Sequence, residues 1–339
     1  MLEIDGSFSD SSDQILKTSG VLSIVTKKPF HIFNIRKSDS SSDLEDHGLT
    51  NLKALAYFCN GRIEEKKEEL TFSPGEIEKG KDNIGINLPT ATSIPFFLKN
   101  LIVIAPSLKN EITIDIEGGA TDTFFSQTMD YFNHCFLNLI ETIGIKTEIE
   151  ILKRGYYPQG GSKVKLKIYP SEIKEINLTK RGNLNKIIII SGASKSLEEK
   201  KVAQRQIAGT KEIIGKLKLP TEEKINYYQS ESPGSHICLI GDFEKTKIGS
   251  YSLGKLGKRA EDVGKEAAIN LLEEEKTKTC IDKNSLDQVL IYMALSNKKA
   301  TINAPKINNC SKTNIWIIKK FIPGEFEIKE PKITWVPKK

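Results

Sequence analysis

The sequence predicts an α/β or α+β protein, and three observations predict it. Strand-like and helix-like segments alternate along the whole chain. A helix–glycine–hairpin pattern occurs twice, which suggests a domain built by duplication. The composition shifts near residue 182, where Arg181-Gly182-Asn183 precedes a Lys/Glu-rich stretch ending near Lys278. Residues 184–278 are therefore read as an inserted smaller α/β domain. Residues 1–183 and 279–339 form the large repeat domain on this reading.

Two helices are expected at 14–25 and 50–59, the second closed by Asn60-Gly61. A strand, a turn, Glu69-Leu70-Thr71-Phe72 and Pro74-Gly75 follow. Residues 124–143 carry Met129, Phe132, Phe136, Leu139, Ile140 and Ile143 at helical spacing and stop at Gly144. A strand at 146–152 comes next, then a turn with Pro158 and Gly160-Gly161. In 163–169, Val164, Leu166 and Ile168 alternate with Lys163, Lys165 and Lys167, a one-sided strand with a basic outer face. Ile187 to Ile190 reads as a fully buried strand. Residues 196–217 read as a helix capped by Ser194 or Ser196, and 260–275 as another around Val263, Ala267, Ala268, Leu271 and Leu272. Near the C-terminus, Thr313 and Asn314 read as turn-and-cap residues before a short buried strand, Ile315 to Ile318.

The bulk numbers bound the function classes. The chain has 339 residues, enough for two domains or one large domain with an insert. Apolar content of 38% and charged content of 28% are those of an ordinary globular protein. The net charge of +6 is compatible with a polyanionic partner without requiring one. No apolar run approaches the ~18 residues that span a bilayer, so no membrane partner is expected. The N-terminus lacks a basic segment followed by an apolar one, so no signal peptide is expected. The five cysteines are scattered and none forms a Cys-x-x-Cys pair. Neither a zinc site nor a disulfide framework is expected, and a reducing cytosol is the default.

Three stretches stand out as patterns. Arg154-Gly155-Tyr156-Tyr157-Pro158-Gln159-Gly160-Gly161 lies between two strands, with two glycines suited to positive φ. Gly254-Lys255-Leu256-Gly257-Lys258-Arg259-Ala260-Glu261-Asp262-Val263-Gly264 leads into a helix with an acidic pair at its positive end. Cys310-Ser311-Lys312-Thr313-Asn314-Ile315-Trp316 precedes the C-terminal apolar run. The plain reading of each is a structural loop. Together they resemble signatures of the RNA 3'-terminal phosphate cyclases. Asp5-Gly6-Ser7, Gln14-Ile15-Leu16, Asn34-Ile35-Arg36, Val202-Ala203-Gln204-Arg205, Ser232-Pro233-Gly234-Ser235 and Asp287-Gln288 extend the resemblance in collinear order over nearly the whole chain.

The resemblance implies a large domain of repeated βαβαββ units with an inserted smaller α/β domain. It implies an activity that uses ATP and Mg²⁺ or Mn²⁺. A His takes AMP from ATP and passes it to an RNA 3'-phosphate, and the neighbouring 2'-OH then closes a 2',3'-cyclic phosphate. Residues carried over as cofactor-binding are Asp10, Gln14, Lys17, Arg36, Asp287 and Gln288, with Asp10 also the metal ligand. The partner implied is an RNA 3' end or a ribonucleoprotein. The location implied is the cytoplasm, or the nucleolus for the family branch that works in ribosome biogenesis.

The departures are chemical. Cys310 stands where the family's nucleophilic His is expected, and no His follows His236. The family's Gly-Glu-Gly-Gly-Gly-Gln is Ser9-Asp10-Ser11-Ser12-Asp13-Gln14, which adds side chains and a like charge where backbone amides would meet phosphate. Lys17 replaces an Arg and loses its bidentate fork. Asp39 stands where an Arg is expected, with Glu45 and Asp46 nearby. Pro89-Thr90-Ala91-Thr92-Ser93 replaces Gly-Thr-Ala-Gly-Ser, and Lys99 replaces a Gln. His47 could replace the missing base. The expectation is a diverged member that binds RNA or a ribonucleoprotein with cyclase activity lost. The alternative is an active ATP-dependent cyclase with an altered nucleophile.

Overall fold

Asn60-Gly61 and Gly144 each end a helix and open a hairpin, as the sequence predicts. Asn60 and Gly144 take positive φ (50° and 102°), the left-handed conformation that closes helices. The computed structural model describes residues 1–8, 12–35, 47–77, 83–124 and 126–338, with only the backbone described at Ser12, His47 and Ala91.

The first unit contains β1 (Leu2–Asp5), α1 (Ser12–Thr26), β2 (Phe30–Phe33), α2 (His47–Cys59), β3 (Arg62–Glu65) and β4 (Leu70–Ser73). Its strand order is β1-β2-β4-β3, with β1 and β2 parallel and the other pairs antiparallel. The second contains β5 (Asn83–Ser93), α3 (Ile94–Leu101), β6 (Ile112–Ala120), α4 (Met129–Tyr131), α5 (Leu137–Thr142), β7 (Thr147–Lys153) and β8 (Lys163–Ile168). Its order, β5-β6-β8-β7, repeats the same pattern with the same strand directions.

The sequence suggested two such units; the structure has a third. It begins with β9 (Asn177–Leu178). The chain then makes β10 (Leu184–Ser194), α6 (Val202–Ile214), β11 (Thr221–Tyr228), β12 (Ser235–Phe243), β13 (Lys247–Leu253) and α7 (Ala260–Thr277). Only afterwards does it complete the third unit with α8 (Leu286–Leu295), β14 (Ala300–Asn303), α9 (Asn309–Phe321), β15 (Gly324–Lys329) and β16 (Lys332–Pro337). Read from β9, the order is β9-β14-β16-β15, with β9 and β14 parallel. The intervening segment forms its own sheet, β11-β10-β12-β13.

One apolar core joins the three units. It includes Leu16 and Leu52, Phe97 and Ile140, and Leu290 and Ile317. The β11-β10-β12-β13 sheet is apolar on both sides. Ile187, Ile189, Ile237 and Leu239 pack with Ile207, Val263 and Leu271 of α6 and α7. The alternate residues Ile190, Cys238 and Ile240 join the main core. This is why Ile187 to Ile190 is a continuous apolar run: period-two alternation divides it between two apolar layers. The segment is thus packed onto the body, and each fully buried Ile contributes about 1.5–3 kcal/mol.

Three sequence expectations need correction. Ile315 to Ile318 is helical, inside α9, and not a strand. Asn308 is its N-cap, its Oδ1 accepting the Ser311 N–H at 2.8 Å. The buried set Thr313, Asn314, Ile317, Ile318 and Phe321 follows helical spacing, whereas a run of four apolar residues fits either period. The helix expected from 124 starts at Met129, where Thr128 Oγ1 caps the Tyr131 N–H at 3.2 Å, and a π-helical turn, Phe132–Phe136, separates α4 from α5. The helix expected from 196 starts at Val202 after Lys201 in the left-handed region (φ 49°). Ser194 and Ser196 bond to each other at 2.9 Å and cap nothing.

Candidate functional site

The N-terminal ends of α1, α8 and α9 meet on one side of the shared core. A buried polar network ties them. Gln14 Nε2 donates to Asn314 Oδ1 (2.8 Å) and to Thr18 Oγ1 (3.0 Å), and the Thr18 hydroxyl donates to the same Asn314 oxygen (2.7 Å). Asn314 Nδ2 donates to the Asp287 carbonyl at 2.8 Å. Asn314 is fully buried, so its amide must be satisfied internally. Gln14 Nε2 is thus engaged within this network.

Two buried lysines border this network. Lys17 Nζ lies 3.6 Å from Asp13 Oδ2 and 3.8 Å from the centroid of the Phe96 ring on α3. Asp13 Oδ1 also accepts the Gly48 N–H, 3.1 Å away, in the first turn of α2. The Asp13 carboxylate therefore occupies the place at a helix N-terminus that suits an anion. Lys99 Nζ donates to the Asn284 carbonyl at 2.8 Å and lies 3.6 Å from Asp287 Oδ1. Gln288 is buried; its Nε2 donates to Asn100 Oδ1 over a long 3.4 Å, and its Oε1 has no hydrogen-bond partner among the described residues.

Cys310 is exposed, the second residue of α9. Its thiol is pushed above the ordinary value, first by loss of solvent around the sulfur and then by the Asp287 carboxylate. Lys17 and Lys99 pull the other way without reversing the shift. The structure thus brings Gln14, Lys17, Asp287, Gln288 and Cys310 together with Lys99. Asp10, Arg36, Asp39, Glu45 and Asp46 lie outside the described residues, as does the side chain of His47.

The Arg154–Gly161 loop holds a second polar centre that the sequence did not reveal. Arg154 Nη1 is 3.0 Å from Asp122 Oδ2, and its Nη2 donates to Asp130 Oδ1. His236 Nε2 is 2.7 Å from Asp130 Oδ2, and Tyr156 Oη is 3.1 Å from His236 Nδ1. Burial alone would raise the Asp130 carboxyl; the Arg154 guanidinium and the His236 bond outweigh it and hold it well below the usual carboxylate range. Burial would likewise lower Arg154, but Asp130 and Asp122 drive it upward. With His236 fully buried, this centre clamps β12 to the second unit. Its sequence signal was an Arg at a turn, which by itself says nothing of its partners.

The Gly254–Gly264 motif also has an architectural account. A Cβ on Gly264 would lie 1.8 Å from the Gln206 carbonyl oxygen, and one on Gly209 would lie 2.0 Å from that of Glu261. The paired glycines let α6 and α7 touch backbone to backbone. Arg205 then clamps Glu261 through Nε (2.8 Å) and Nη2 (3.0 Å).

Three repeated βαβαββ sheets, an interrupting α/β segment and a polar junction at α1, α8 and α9 define a duplicated α/β scaffold. A family model described as RNA 3'-terminal phosphate cyclase matches residues 9–328. The chain belongs to that family. Curated relatives named RNA 3'-terminal phosphate cyclase include one from Sulfolobus acidocaldarius, 37% identical over 97% of this chain and 97% of the relative. Another, from Pyrococcus furiosus, is 36% identical over 97% of this chain and 95% of the relative. A third, from Saccharolobus solfataricus, is 36% identical over 97% and 96%. Among the described residues no helix is long and apolar enough to cross a membrane, and no group of three or more His, Cys, Asp or Glu side chains is placed to hold a metal.

Proposed function

We propose that this protein is an RNA-binding member of the cyclase family in which adenylyl transfer has been lost. The observation that carries this reading is self-neutralisation of the site. Asp13 takes both the Lys17 ammonium and the Gly48 amide, and Asp287 takes Lys99. A triphosphate entering here would have to displace these carboxylates or lie against them, and like charges at such range repel. The described donors therefore do not fit ATP. Cys310 adds to the argument: the thiolate is the nucleophile, and this thiol is shifted away from it.

The partner on this reading is an RNA 3' end, free or within a ribonucleoprotein. We take the cytoplasm as the location, a reading that the archaeal source of the relatives supports over the nucleolus. We also take residues 184–278 as the inserted domain and the three-unit body as the other. The test is to incubate the protein with ATP, Mn²⁺ and a 3'-phosphorylated RNA, then treat the RNA with phosphatase. The expected result is phosphatase-sensitive RNA that the protein nonetheless binds in a salt-sensitive way. Phosphatase-resistant ends would overturn the reading.

One observation favours the second reading, an active ATP-dependent cyclase using Mg²⁺ or Mn²⁺. Lys17 and Lys99 both bear electrostatically on Cys310, and cations beside a nucleophile suit phosphoryl chemistry. Phosphatase-resistant RNA ends in the same assay would establish it.

A further inference from the structure

Phe8 ends the turn after β1 and is 48% exposed. Its ring lies flat on Trp316 of α9, with centroids 4.0 Å apart and planes 4° apart. One face of Phe8 is therefore covered, and its exposure belongs to the opposite face and edge. Trp316 is held from its own side: it packs against the main core, and Lys320 Nζ lies 4.8 Å from its ring centroid. Lys320 Nζ also reaches the Glu3 carbonyl of β1 at 3.3 Å, which fixes α9 beside that edge strand.

Aromatic pairs packing only for themselves favour offset or edge-to-face arrangements. A flat pair with one open face is a stack that a further planar ring extends. Lys320, in the last turn of α9, places a cation over the Trp316 ring, whereas its neighbour Lys319 is paired with Glu325 and Lys28 Nζ donates to the Phe321 carbonyl at the same end. Aromatic faces combined with cations are how proteins hold single-stranded nucleic acid. Trp316 lies six residues beyond Cys310, about 9 Å along the helix axis at 1.5 Å per residue.

We propose that Phe8, backed by Trp316, stacks an unpaired base near the 3' end of a bound RNA. This rests on the RNA-binding reading above and adds a subsite to it. The function of Trp316 is to hold the Phe8 ring flat, and that of Lys320 is to place a cation beside the strand's phosphates.

The test is binding of short single-stranded RNAs with a 3'-phosphate, intact or abasic at each of the last three positions. Wild type, Phe8→Ala, Phe8→Leu and Phe8→Tyr are compared at fixed salt, with near-UV circular dichroism confirming the fold. Phe8→Leu still covers Trp316 with apolar surface but has no ring to stack on. Phe8→Ala and Phe8→Leu are expected to bind intact RNA about tenfold more weakly, and Phe8→Tyr to bind as wild type. At one abasic position the difference between wild type and Phe8→Leu should vanish. Equal binding of intact RNA by wild type, Phe8→Ala and Phe8→Leu would overturn the stacking site and leave RNA binding standing. So would a Phe8→Leu deficit that no abasic position removes, because it would place the contact on something other than a base. Absence of binding by wild type would overturn the RNA reading and the subsite with it.

Discussion

Asp130→Asn tests how firmly the buried centre holds β12 to the second unit. Asp130 is 5% exposed, and its two oxygens meet Arg154 and His236. Asparagine keeps the shape but removes the charge, leaving the buried guanidinium with Asp122 alone at 3.0 Å. Removing one member of a buried ion pair costs about 3–5 kcal/mol because the other charge stays desolvated. At about 2.1 cal/mol/K per residue, unfolding 339 residues carries roughly 0.7 kcal/mol/K, so Tm should fall by about 4–7 °C. Calorimetry at neutral pH reads the shift. The acid limb gives a second check. The Asp130 carboxyl is held below its ordinary value of 3.8, so its contribution is present above that pH and is lost as pH falls through the depressed value. The deficit of the variant should therefore be full near pH 7 and shrink towards pH 2. A neutral-pH loss under about 1 kcal/mol would refute the clamp, because Asp122 would then suffice to pair the buried guanidinium without Asp130.

Glu274 is buried and its carboxyl is pushed up to about 7, by burial first and Asp282 second. Its Oε2 has no hydrogen-bond partner among the described residues, and Lys283 Nζ is 3.8 Å from its Oε1. A raised carboxyl supports the fold fully below its unfolded pKa and loses that support as pH rises through about 7. Glu274→Gln should thus stabilise by about 1–3 kcal/mol at pH 8, with the gain gone by pH 4, read from urea unfolding at each pH. Gly264→Ala should cost about 3 kcal/mol or more or prevent folding, since its Cβ would meet the Gln206 carbonyl at 1.8 Å; expression and thermal melting decide it. Asn314→Ala should cost about 1–3 kcal/mol by orphaning Gln14 and Thr18, measured by denaturant titration. Cys310 is the exposed cysteine among five free ones. Native protein should label there first with a thiol reagent, slowly at pH 7 and faster as pH rises above 9, followed by mass spectrometry.

Much of the architecture was legible because glycine stops and alternating residues are local signals. Gly144 and the Val164-Leu166-Ile168 alternation placed the second unit, and Asn60-Gly61 placed the first. The third unit was hidden because β9 is two residues long and the β10–α7 segment separates it from α8. The α9 error has the same origin as its resolution: Ile315 to Ile318 is too short to show a period, and the deciding signal was the Asn308 cap three residues before Ser311. The site was half legible. Family motifs pointed to Gln14, Lys17, Asp287, Gln288 and Cys310, which do converge. The like charge of Asp13 is legible in the sequence; its engagement by Gly48 and Lys17, which the fold brings to it, is not. The Arg154 centre joins residues 24, 32 and 82 positions apart, a separation at which no periodicity speaks.

On the proposed reading, the site neutralises its own cations and lacks an activated nucleophile. Incubation with α-phosphate-labelled ATP and Mn²⁺, followed by denaturing electrophoresis, tests it most directly. Wild type should carry no covalent label. Cys310→His should carry none either, because Asp13 and Asp287 still occupy Lys17, Gly48 and Lys99. A labelled wild-type band that disappears in Cys310→Ala would show that adenylyl transfer persists and runs through this thiol.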